Sequence, residues 1–290
     1  MPKQQMQSWL LLVSLALVWG SSFILMKKGL EVFGSNQVAA LRISIATLSL
    51  LPFVVWSFKK VQRKDYGILF LVALFGSGMP PFLFTHAQTE ISSALAGLLN
   101  TLTPLFTFLL GVVIWKLMFS WRKLGGILLG LVGAVGLMLF SQPPEGGGNN
   151  WYGLFVVLAT ASYALNANLI KQYCQDIPPI AISTIGFVFT GPIAMTYLLS
   201  TDFLTILQSD AGAWWALFLI ALLAVFGTAI ANIFYFRLTQ LTDALFASTV
   251  TYLIPIIAIL WGIWDGEAID WTYFVGMLLI LGGVYLASRR

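Results

Sequence analysis

Ten apolar spans, joined by short loops whose basic charge falls on alternate sides, fix the surroundings of this chain before any motif is read. A helix needs about 20 apolar residues to cross the hydrocarbon core of a bilayer. Runs of that order lie at 9–27, 38–58, 67–86, 91–115, 124–141, 151–170, 180–199, 213–236, 244–264 and 271–287. If each crosses once, one side collects Lys3, Lys59, Lys60, Arg63, Lys64, Lys116, Arg122, Lys123, Lys171, Arg237, Arg289 and Arg290. The other side holds only Lys27 and Lys28. Basic residues close to span ends stay in the cytoplasm, which predicts cytoplasmic N and C termini. Most acids, among them Glu31, Glu90, Asp202, Asp210, Asp265, Glu267 and Asp270, fall on the opposite side.

Composition agrees. The chain is 59% hydrophobic and 9% charged, against about 25% charged for a soluble domain. The formal net charge of +4 resides at span ends, so topology accounts for it and nucleic acid is not implied. Cys174 is the single cysteine, which excludes an intrachain disulfide. The first span is too long for a signal peptide and ends in Met26-Lys27-Lys28 with no small-residue cleavage pattern, so it reads as a retained helix.

Internal repetition sets the architecture. At an offset of 151, Ala96, Leu102, Pro104, Leu109 and Gly111 match Ala247, Leu253, Pro255, Leu260 and Gly262. At an offset of 150, Gly126 and Gly133 match Gly276 and Gly283. The halves are drawn at 1–145 and 146–290, five spans each. An odd number of spans inverts the second half relative to the first. The predicted fold is therefore all-α and polytopic, with ten transmembrane helices in two inverted five-helix repeats. Inverted repeats characterise many secondary transporters, whose substrate site lies near the midplane between the repeats.

Trp19-Gly20-Ser21-Ser22-Phe23 leading to Lys27, Arg42 early in the second span, and Gly227, Asp243-Ala244, Pro255, Gly266-Glu267 and Gly276 resemble the EamA family of the drug/metabolite transporter superfamily. The resemblance covers both halves. It implies a carrier in the bacterial inner membrane, where many members export amino acids or other small metabolites. The family often places Gly-Glu after the proline-bearing helix of each repeat. Here the second half has Gly266-Glu267, whereas the first has Trp115-Lys116.

Polar side chains inside spans usually face the bundle interior. There they either lock helices together or touch a solute. Thr228, Asn232 and Tyr235 share one helical face in the eighth span. Ser162 and Asn166 do so in the sixth, beside Tyr163; Asn100, Thr103 and Thr107 in the fourth; Thr249 and Tyr252 in the ninth. Trp19 lies halfway along the first span, near Ser22, away from the interfacial tryptophans. Arg42 is only about 7–8 Å into the second span at 1.5 Å per residue. It can snorkel outward or attract an anionic group. Candidate substrate contacts are thus Trp19, Ser22, Arg42, Asn100, Tyr163, Asn166, Thr228, Asn232, Tyr235 and Tyr252. Candidate hinges are Gly78, Pro80, Pro81, Pro104, Gly227 and Pro255, where proline removes a helix hydrogen bond or glycine loosens the helix. Glycines of the fifth and tenth spans permit close helix packing, or a homodimer contact.

No Asp or Glu lies inside a span, so no embedded carboxylate offers itself as a proton site. Paired carboxylates, a nucleophile with its base and a metal-ligand cluster are missing too, which argues against an enzyme. His86, the only histidine, reads as interfacial; neither cofactor nor metal is expected. Glu145-Gly146-Gly147-Gly148-Asn149-Asn150 reads as an external turn rather than a phosphate cradle. The expected function is carriage of a small amphipathic solute by alternating access, an amino-acid exporter foremost. Carriage of sugar phosphates or nucleotide sugars, and lipid scrambling, are the alternatives.

Overall fold

The computed structural model describes residues 3–116, 121–141 and 148–288. Glu145, Gly146 and Gly147 of the expected turn, the boundary between the halves, Arg289 and Arg290 lie outside the described residues. Among the described residues there is no β-strand. A bilayer core offers no water to backbone N–H and C=O groups, so a crossing segment must satisfy them internally, and the helix does so within one segment.

Eight helices are long and apolar enough to cross a membrane: α1 (Gln4–Leu30), α2 (Ser35–Lys60), α3 (Arg63–Ala87), α4 (Ser93–Trp115), α6 (Asn150–Tyr173), α7 (Pro179–Leu199), α8 (Ala213–Leu241) and α9 (Ala244–Trp264). The fifth and tenth expected spans fall on α5 (Trp121–Phe140) and α10 (Trp271–Ser288), whose apolar stretches are shorter. Large apolar side chains such as Val55, Val113, Ile193, Trp214 and Leu278 are exposed on the outside of the bundle, as a surface facing lipid requires. The chain is a multi-pass membrane protein.

Helix contacts pair off across the molecule. α1 packs on α8 and α9, while α6 packs on α3 and α4; α2 lies along α7, α4 along α9 and α5 along α10. Glycine makes the last contact close. A Cβ on Gly283 would lie 2.4 Å from the Gly126 carbonyl oxygen and 2.6 Å from the Gly130 nitrogen. One on Gly276 would lie 2.3 Å from Leu137 Cγ. These glycines are therefore spent on packing within the chain.

Four helices are irregular at corresponding places. α3 contains a π-turn at Leu74–Gly78, and α8 one at Val225–Ile230. α4 contains a 3₁₀ turn at Asn100–Leu102 just before Pro104, and α9 one at Thr249–Tyr252 just before Pro255. Each proline lacks the N–H that would bond the carbonyl four residues earlier. In α4 that carbonyl belongs to Asn100, and Thr103 Oγ1 donates to it instead at 2.8 Å. π-turns inside α-helices frequently mark functional sites.

Candidate functional site

The irregular turns surround one cavity. Trp19, Ser22, Phe23 and Met26 line it from α1, Arg42 from α2, and Gly76, Ser77, Pro81 and Phe84 from α3. Asn100 and Thr103 come from α4, Tyr163 and Asn166 from α6, Thr228, Asn232, Tyr235 and Phe236 from α8, and Val250 and Thr251 from α9. About 70 Å³ of it is open to the centre of a water molecule, room for roughly five waters at 10–15 Å³ each. Trp19 sits where the two apolar cores of the bundle meet, packed against both.

Several of the polar side chains are held by specific partners. Trp19 Nε1 donates to the Gly227 carbonyl at 3.0 Å, inside the α8 π-turn, and its ring lies 5.3 Å from that of Tyr235. Asn166 Nδ2 donates to the Val72 carbonyl at 2.6 Å, and Asn232 Nδ2 to Ser77 Oγ at 2.9 Å. Arg42 Nε donates to Thr228 Oγ1 at 2.6 Å, and Thr228 Oγ1 donates in turn to the Leu223 carbonyl at 3.2 Å. Ser77, Gly227 and Thr228, which make three of these contacts, belong to the π-turns themselves. Gly76 is required where it stands: a Cβ there would lie 2.3 Å from Asn166 Nδ2.

Nine of the ten expected contact residues therefore line one space. Tyr252 is the exception. The stretch before it is a 3₁₀ turn, with 3.0 rather than 3.6 residues per turn, so Thr251 faces the cavity and Tyr252 does not. The Tyr252 hydroxyl is buried with no hydrogen-bond partner. Snorkelling by Arg42 is also overturned, since its side chain is buried and turned onto α8. Of the other face residues, Ser162, Thr107 and Thr249 bond back to carbonyls of their own helices. Of the hinge candidates, Pro81 reaches the cavity; Gly78 ends the α3 π-turn with Pro80 just after it, Gly227 lies in the α8 π-turn, and Pro104 and Pro255 follow the 3₁₀ turns. Gly76, Ser77 and Thr251 carried no periodic signal, although the Gly-Ser-Gly before Pro80-Pro81 marked the place.

A second constellation joins distant segments at one end of α1. Lys27 Nζ lies 2.7 Å from Asp265 and 3.0 Å from Glu267, and Lys28 Nζ lies 2.7 Å from Glu31 and 2.8 Å from Asp265. Glu267 is nearly buried and also caps the start of α4. It accepts from the Ser93 and Ala94 backbone N–H groups at 3.0 Å each and from the Ser93 hydroxyl. A carboxylate suits a helix N-terminus, where N–H groups have no intrahelical partner. Burial alone pushes the Asp265 carboxyl up, but Lys27 and Lys28 more than offset it and hold it below its ordinary value. At the corresponding start of α9, Asp243 caps the helix by accepting from Phe246 N at 2.8 Å, and Lys171 donates to the Thr242 carbonyl. Lys116 occupies the position matching Glu267, in a left-handed conformation with φ 54°. Among the described residues, that end has no ion pair.

The model of the EamA-like transporter family matches residues 7–139 and 150–289. The chain belongs to the EamA-like transporter family. An uncharacterized transporter of Archaeoglobus fulgidus is 24% identical over 98% of this chain and all of its own length. The uncharacterized transporter YetK of Bacillus subtilis is 24% identical over 98% of this chain and 87% of its own. The uncharacterized inner membrane transporter YedA of Escherichia coli K12 is 24% identical over 96% and 89%. A solved crystal structure superposes with a TM-score of 0.64 at 17% identity, covering 97% of this chain and 96% of the other. At that identity the likeness concerns the fold alone. As an EamA-like protein, the chain is a membrane transporter.

Proposed function

We propose that this transporter is a ten-span carrier of small amphipathic metabolites, amino acids foremost, which exports them across the bacterial inner membrane by alternating access. The observation that carries the reading is the cavity itself. Polar groups and aromatic rings from both halves converge on it, and helix irregularities at four matched places surround it. The matched contacts of α1 with α8 and α9, and of α6 with α3 and α4, are what a two-fold axis in the membrane plane produces. An inverted pair of repeats can rock about such a site. Cytoplasmic termini follow from the distribution of lysine and arginine. The inner membrane is supported by the Escherichia coli relative.

In this orientation the Lys27–Glu267 constellation lies on the external side and acts as a latch between α1, α4 and the α9–α10 connection. The cytoplasmic side has Lys116 where the matching acid would stand. A doubly charged phosphate, free or in a nucleotide sugar, would meet a single arginine in the cavity.

The test is counterflow of radiolabelled amino acids into proteoliposomes. Trp19→Ala and Asn232→Ala are expected to lower the initial rate at least tenfold, with both variants inserted and folded in wild-type amounts. Wild-type rates in both would remove the cavity from the transport path. Lipid scrambling without saturable solute uptake would replace the carrier reading altogether.

A further inference from the structure

Arg42 is a buried cation without an anion. Its side chain is 7% exposed. The Nε–H is used on Thr228, and the Nη nitrogens make no hydrogen bond or ion pair with any described residue. No Asp or Glu is among the residues lining the cavity. Guanidinium does not shed its proton in proteins, so the charge cannot be relieved by neutralisation. Buried charges are ordinarily paired, because an uncompensated one is costly.

We propose that Arg42 receives the carboxylate of the transported solute, so that the cargo is an amphipathic compound with one carboxylate, whose amino group, where it has one, is not required for binding. This rests on the carrier reading above and specifies its substrate class. With Nε held by Thr228, the two Nη groups at the end of the fork remain, and an end-on fork donates to both oxygens of a carboxylate. Asn166 and Asn232 each commit one amide N–H to Val72 and Ser77, and their carbonyl oxygens stay open to a donor on the solute. These oxygens are neutral acceptors, so they tolerate an ammonium group without demanding one. A solute carrying only positive charge would add a second cation beside Arg42 with no acid to offset either. The rings of Trp19, Tyr163 and Tyr235 supply the wall for an apolar body.

The test uses solutes that share a body and differ in charge: phenylalanine, 3-phenylpropionate and phenethylamine, with leucine, 4-methylpentanoate and isoamylamine as a second series. Binding to the purified full-length protein is read by calorimetry and by melting temperature, which a ligand of the native state raises. Both carboxylate-bearing members of at least one series are expected to bind, and the amines to leave the melting temperature unchanged. In Arg42→Gln, carboxylate affinity is expected to fall at least tenfold, while the ligand-free variant melts no lower than the wild type, because an unpaired buried charge has been removed. Arg42→Lys, which keeps the charge but loses the fork, is expected to lie between. Amine binding as tight as carboxylate binding, or undiminished carboxylate binding in Arg42→Gln, would overturn the assignment. If that amine binding disappears in Trp19→Ala, the carrier reading survives and only the role of Arg42 falls. Binding of neither series would overturn the monocarboxylate class.

Discussion

Replacing Glu267 by alanine is expected to lower stability by about 3 kcal/mol, since hydrogen bonds to a charged group contribute roughly 1.5–3 kcal/mol each and several are lost together. Ser93, Ala94 and Lys27 all direct donors at this carboxylate. Removing it leaves the start of α4 uncapped. Lys27→Met is expected to cost less, because Glu267 keeps its donors from Ser93 and Ala94 and Asp265 keeps Lys28. Melting in detergent by intrinsic fluorescence compares the two. Equal losses would mean that the ion pair, and not the cap, holds this end. The pH dependence has a definite sign. The Asp265 carboxyl titrates below its ordinary value when folded, so its contribution is fully present above about pH 4, near the unfolded value. It is lost as pH falls through the lower folded value. The Asp265→Asn variant should therefore lose the part of the acid-induced fall in melting temperature that comes from this group.

An equally large effect is expected at the α5–α10 contact. In Gly283→Leu the new Cβ meets backbone atoms of Gly126 and Gly130 at 2.4 and 2.6 Å. A backbone cannot move aside like the tip of a side chain, so the two helices must separate, at a cost of about 3 kcal/mol or more. Its neighbour is the control. A Cβ on Gly282 meets only Leu129 Cδ2 at 3.8 Å, an ordinary contact. Gly282→Leu should be neutral or slightly stabilising, since glycine costs a helix interior up to about 1 kcal/mol. Similar melting temperatures for the two variants would contradict this packing.

The spans were legible in the sequence because apolar length is a local property, and the bilayer demands it of each helix separately. Helical periodicity found Thr228 with Asn232, and Asn100 with Thr103, although Thr228 lies inside the α8 π-turn and Asn100 inside the α4 3₁₀ turn, because a step of three or four residues still keeps each pair on one face. It failed for Tyr252, where a 3₁₀ turn changes the angular step. Depth counted from the span end leaves the direction of Arg42 open; it is set by Thr228, 186 residues away. The bond between Lys27 and Glu267, separated by 240 residues, likewise had no local signature beyond two charges assigned to the same side of the membrane.

Alternating access requires the cavity to open to each side of the membrane in turn. Thr251→Cys at the cavity wall, in a Cys174→Ser background, reports this when a membrane-impermeant thiol reagent is applied to right-side-out and to inverted vesicles. Labelling from both sides is expected, with each rate slowed by a saturating substrate. Labelling from one side only, or rates that ignore substrate on both sides, would contradict it.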